Sequence, residues 1–188
     1  MPDVNAPKTM PVVIVLAAGR GERFAASGGT VHKLQALLAG KRVMDHVLDA
    51  VKASGLPYHV VHADPARPGM GDSIAAGVRA TPNAHGWLIL PADLPLITSD
   101  TLRRLAFASP CAVTVPVFNG QRGHPVRFGL ECVSELLNLQ GNQGAAQLIR
   151  VRAATDSVAF MELDDVGCIT DVDTLDDLQR AEQLLAGR

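Results

Sequence analysis

A chain of 188 residues that is 47% hydrophobic and only 4% aromatic must fill its core with Ala, Val, Leu and Ile. That profile suits a sheet covered by helices and excludes a disordered chain. The 17 basic and 19 acidic residues leave a net charge of −2, and nothing in that balance suggests a nucleic-acid surface.

Cys111, Cys132 and Cys168 form no C-x-x-C pair. Neither a zinc ribbon nor a disulfide framework is expected, and reduced thiols in a cytoplasmic protein are. Residues 1–9 are polar with two prolines and read as a flexible tail, with residues 10–188 as one domain. The apolar run 10–18 is too short to span a membrane and reads as a core strand over 12–16. Residues 42–54 place Val43, Val47, Leu48 and Val51 at helical spacing, stopped by Gly55 and Pro57. A second strand is predicted over 58–61, a helix over 72–80, a third strand over 87–90 and a helix over 99–108. Residues 111–118 are β-rich, and 125–128 pair nearby. Helices follow over 132–139 and 143–151, then a late strand over 158–163. The last helix, 174–185, is capped by Asp173 or Thr174, with Asp177 as the capping-box acid.

Strands alternating with helices predict a mostly parallel sheet with helices on both faces, a three-layer α/β/α sandwich. The segment 115–147 breaks the alternation and is expected to run over one edge of the sheet. In such sheets ligands bind outside the C-terminal strand ends, so chemistry is sought after Leu16, Val61 and Leu90.

The first of these loops, Leu16-Ala17-Ala18-Gly19-Arg20-Gly21-Glu22-Arg23-Phe24, begins like the dinucleotide fingerprint and fails at its last position, where Phe24 replaces glycine. A tight strand-to-helix turn explains it equally well on its own. Gly19 and Gly21 let backbone N–H groups approach an anion. Arg20 and Arg23 add charge beside them, and Lys33 folds back across Ser27-Gly28-Gly29. The second loop carries Asp93 between Ala92 and Pro95, a hard-oxygen ligand suited to Mg²⁺; an aspartate satisfying turn amides is the simpler alternative. The third candidate is Asp171-Val172-Asp173-Thr174, where Asp173 either completes a metal site with Asp93 or only caps the helix.

The set Leu16-Ala17-Ala18-Gly19-x-Gly21-x-Arg23-Phe24, Lys33-Leu34, Asp93-x-Pro95, Gly123-His124-Pro125 and Asp171-x-Asp173-Thr174 resembles the MobA-like nucleotidyltransferases. Within them it is most similar to molybdenum cofactor cytidylyltransferases, through Arg122-Gly123-His124-Pro125 and Gly141-Asn142-Gln143-Gly144-Ala145-Ala146. The resemblance implies a Rossmann-like fold of the nucleotide-diphospho-sugar transferase type. It implies an NTP substrate, CTP favoured, and a phosphate-bearing acceptor, with Mg²⁺ held by Asp93 and Asp173. Arg23, Lys33 and Asp93 would be catalytic. Leu16 to Gly21 with Arg23 and Lys33 would bind the triphosphate, and Gly71, Asp72 and Ser73 the base. His124 and Pro125 would face the acceptor, and a molybdoenzyme or cofactor-handling protein would be a partner. The sequence departs from the family pattern in the long link 24–32 and at Asn142 and Ala146, where the family carries an acid and an arginine.

Three other readings compete. Within the same class, the nucleotide is GTP or the acceptor a sugar or polyol phosphate. The chain is otherwise a non-catalytic nucleotide- or cofactor-binding chaperone. A nicotinamide-dependent oxidoreductase is disfavoured by Phe24 and by the lack of a clear acid after the second strand.

Overall fold

The computed structural model describes residues 10–67, 69–108 and 111–187; the predicted tail, residues 1–9, lies outside them. In chain order the elements are β1 (Val12–Ala17), α1 (Glu22–Ala26), β2 (Leu37–Leu38), β3 (Lys41–Arg42), α2 (Val43–Ser54), β4 (Tyr58–His62), α3 (Met70–Ala80), β5 (Trp87–Pro91) and α4 (Ser99–Ala106). There follow β6 (Val113–Phe118), β7 (Gln121–Arg122), β8 (Val126–Phe128), α5 (Val133–Leu137), α6 (Ala146–Ala153), β9 (Val158–Glu162) and α7 (Leu175–Ala186). Among the described residues no helix is long and apolar enough to cross a membrane.

The main sheet runs β4-β1-β5-β8-β6, with β7 and β9 also paired to β6. β1 is parallel to β4 and β5, and β6 is parallel to β9, while β8 is antiparallel to both β5 and β6. Five strands therefore share one direction, the mostly parallel Rossmann-like sheet that the sequence implied. The segment 115–147 is a correction. It does not run over an edge, because β8 inserts into the middle of the sheet. Its two apolar side chains, Val126 and Phe128, are buried in the core there.

Alternation along β1 separates two apolar layers. Val13 and Val15 pack with Leu88 and Leu90 under α2, α4 and α7; Val12 and Ile14 pack with Trp87 and Ile89 under α3, α5 and α6. Each fully buried aliphatic side chain contributes about 1.5–3 kcal/mol, so both sheet faces hold their helices firmly.

Element bounds shift where turn chemistry intervenes. Ala39 (φ 49°) and Gly40 (φ 80°) form the tip of the β2–β3 hairpin; both central residues have positive φ, as such tight turns require. Arg42 is thereby drawn into β3, and α2 starts at Val43. The predicted helix over 132–139 is a 3₁₀ turn, Leu130–Cys132, followed by the short α5. The helix predicted from 143 begins only at Ala146. At the C-terminal helix Thr174, not Asp173, is the cap: its hydroxyl accepts from Asp177 N–H and the Asp177 carboxylate accepts from Thr174 N–H.

Candidate active site

The C-terminal ends of β1 and β5 open into a cleft of about 780 Å³. β1 leads into Gly19-Arg20-Gly21, where Gly21 takes a left-handed conformation (φ 67°) as it enters α1. Phe24 is 1% exposed. It is the apolar anchor of this turn, which explains why a large side chain stands where a dinucleotide loop carries glycine.

The long link 24–32 is fastened at both ends. Ser27 Oγ donates to the Phe24 carbonyl (2.8 Å) and accepts from the Leu175 N–H (3.0 Å). The His32 ring bonds the Gly19 carbonyl (2.8 Å) and accepts from the Leu34 N–H (3.3 Å), capping a 3₁₀ turn over Lys33–Gln35. Lys33 is thus delivered under the glycine loop.

Asp93 follows β5. Its carbonyl accepts from the Val172 N–H (2.9 Å), a single backbone bond that brings it beside Asp171 and Asp173. The Lys33 ammonium donates to Asp93 Oδ2 (2.6 Å) and Asp173 Oδ1 (2.7 Å), and Arg23 Nη2 pairs with Asp173 Oδ2 (2.6 Å). Because the capping box belongs to Thr174, the Asp173 carboxylate is left for these cations. Asp93 Oδ1 is buried without a partner among the described residues. No three His, Cys, Asp or Glu side chains are grouped to hold a metal among the described residues.

Burial alone would lower the Lys33 pKa, but Asp93 and Asp173 outweigh it and hold it above the ordinary lysine value. Asp171, in the same wall, is pushed up by desolvation and by the neighbouring Asp173 and Asp93 charges. His124 keeps its surface open to the cleft while packed atoms crowd its other sides. That desolvation lowers its pKa, and Asp93 and a backbone bond to Ile89 offset it only in part.

Leu16, Ala18, Gly19, Arg20, Gly21 and Arg23 line the cleft, as do Lys33, Ser73, Asp93, His124 and Asp173. Ala17, Gly71, Asp72 and Pro125 do not line it. Gly71 and Asp72 face a different neighbour: Gly71 N–H donates to the Gly141 carbonyl (2.9 Å) and the Asp72 carboxylate accepts from the Gly141 N–H (3.0 Å). A Cβ on Gly69 would stand 2.0 Å from that same carbonyl oxygen. The predicted base-binding segment is therefore clamped to the loop 140–143, which carries Asn142 into the cleft. Sequence reasoning missed the cleft residue Gln121 and gave no site role to Met70, Arg122 and Asn142, although each stands in a motif it singled out. Arg122 was visible in its motif, and its guanidinium lies 4.7 Å from the Phe160 ring centroid. Cys168 also lines the cleft; burial pushes its thiol up to about 11, which leaves it a protonated wall residue.

The glycine loop, the lysine and the facing carboxylates meet at the C-terminal strand ends, where sheets of this kind bind their ligands. The chain belongs to the MobA-like NTP transferase domain family, matched over residues 13–158. It is 28% identical over 186 residues to the purine catabolism protein PucB of Bacillus subtilis, covering 86% of this chain and 90% of PucB. Rv0371c of Mycobacterium tuberculosis has a similar structure (TM-score 0.75, 25% identity, 93% of this chain and 98% of that one). The same protein in complex with manganese superposes with a TM-score of 0.72 (22% identity, 93% and 98% covered). A nucleotidyl transferase from Methanothermobacter shares the fold, with a TM-score of 0.78 (22% identity, 95% and 99% covered).

Proposed function

We propose that the protein transfers CMP from CTP to a phosphate-bearing acceptor, molybdopterin or its molybdenum cofactor, and releases pyrophosphate. The observation that carries this reading is the Lys33 ammonium between Asp93 and Asp173, beneath the Gly19–Gly21 loop. An acceptor phosphate oxygen attacks the α-phosphorus in line. A new O–P bond forms as the bond to the β-phosphate oxygen breaks, and no covalent enzyme intermediate is needed. Arg23 and the loop amides hold the β- and γ-phosphates. Lys33 neutralises the charge that grows on the α-phosphate in the transition state.

Asp93 Oδ1, which has no partner among the described residues, suits a Mg²⁺ ion, which takes one or two carboxylates and completes its shell with phosphate oxygens and water; Asp173 would join it by exchanging its Lys33 or Arg23 contact for the metal. Bound there, the ion would neutralise phosphate charge. The manganese complex of the Mycobacterium tuberculosis relative supports a divalent cation in this fold. Ser73, Met70 and Asn142 in the cleft wall are the side chains assigned to the base. His124 and Arg122, also in the cleft wall, are assigned to the acceptor. A molybdoenzyme or a cofactor-handling protein receives the product.

Incubation with each NTP in turn, Mg²⁺ and molybdopterin, followed by pyrophosphate release, tests this. CTP-selective release is expected. GTP-selective release would favour a guanylyltransferase, and NTP binding without release would favour a carrier module.

A further inference from the structure

The His32 ring makes two bonds that divide its nitrogens. Nδ1 accepts from the Leu34 N–H, so in the neutral ring the proton sits on Nε2, which then donates to the Gly19 carbonyl at 2.8 Å. The ring is exposed and does not line the cleft. It also packs under Gly21, where a Cβ would stand 3.3 Å from the ring atoms.

A trans peptide points its carbonyl and the following N–H in opposite directions. With the Gly19 carbonyl held at His32, outside the cleft, the Arg20 N–H is turned the other way. Gly19 has the conformational freedom to let this peptide flip. A flipped peptide would present a carbonyl dipole where an anion must sit. We propose that His32 is a positioning residue that latches the Gly19–Arg20 peptide so that its N–H, not its carbonyl, meets the nucleotide phosphates. This inference rests on the proposed nucleotide-binding reading of the loop.

Two substitutions separate the latch from the cap. In His32→Asn the amide oxygen replaces Nδ1, keeping the bond from Leu34 N–H, but the side chain is too short to reach Gly19. In His32→Gln the amide nitrogen replaces Nε2, keeping the Gly19 bond and losing the cap. The latch predicts that His32→Asn raises the KM for CTP about 3–10-fold, the range for one lost hydrogen bond, with kcat and Tm near wild type. It predicts faster hydrogen exchange at residues 19–21 of the nucleotide-free His32→Asn protein, and a near-normal KM in His32→Gln. A normal KM and normal loop exchange in His32→Asn would overturn the latch. So would a His32→Gln protein with the impaired KM and a lowered Tm, as a purely structural cap requires. A wild-type protein that binds no NTP would instead overturn the nucleotide reading, and with it the phosphate role of the latch.

Discussion

Lys33→Met keeps the aliphatic stem and removes the charge. Asp173 retains its Arg23 partner at 2.6 Å, whereas Asp93 loses the ammonium at 2.6 Å on Oδ2 and already lacks a partner on Oδ1. Stripping one member of a deeply buried pair costs about 3–5 kcal/mol. The Asp93 and Asp173 side chains are 17% and 14% exposed, so water takes up part of the loss. The cost should then fall in the range for a charge-assisted hydrogen bond, about 1.5–3 kcal/mol. For a chain of this size that lowers Tm by roughly 3–12 °C and leaves the fold intact at 25 °C. Turnover should fall about 100-fold or more, the scale of losing one donor to transition-state charge. Thermal unfolding followed by circular dichroism, together with single-turnover pyrophosphate release, reads both effects. Turnover within a few-fold of wild type would refute the role given to Lys33, and an unchanged Tm would refute the energetic reading of the ion pair.

His124 should titrate below the usual histidine value of about 6.5, because desolvation disfavours its imidazolium. Its folded pKa is depressed, so the stability it contributes is full above about pH 6.5 and falls as pH drops below it. Proton NMR of the ring gives the midpoint, and Asp93→Asn should move it lower still, since Asp93 raises it; an upward shift would contradict the assignment. Gly69→Ala drives a Cβ into the Gly141 carbonyl. It should destabilise the protein by about 1–3 kcal/mol, as overpacking does, and displace the loop that carries Asn142. Denaturant unfolding and the KM values for CTP and the acceptor check this, and wild-type values in all of them would show that the clamp is dispensable.

The long apolar strands were legible because β-branched runs bounded by turn residues have few other uses, and Thr174 with Asp177 announced its helix start through side chains three residues apart. β8 was not legible in its position: three residues carry no sign of which strands they will separate. The sequence suggested that Lys33 folds back to the glycine loop and that Asp173 joins Asp93, but the ion pair of Lys33 with both carboxylates was not among its expectations. Its physical support, through Ser27 on Leu175 and His32 on Gly19, joins residues whose sequence neighbours say nothing of each other. Gly71 and Asp72 show the same limit from the other side. A helix start with a glycine and an acid reads alike whether it faces a nucleotide or, as here, the backbone of Gly141.

The most direct measurement is a titration of CTP into the wild-type protein and the Asp93→Asn and Asp173→Asn variants, each with and without Mn²⁺, with metal uptake followed by electron paramagnetic resonance. The proposed site predicts that CTP and Mn²⁺ strengthen each other's binding in the wild type and that either substitution abolishes this coupling while CTP alone still binds. Coupling of wild-type size in both variants would contradict the assignment of these two carboxylates to the metal.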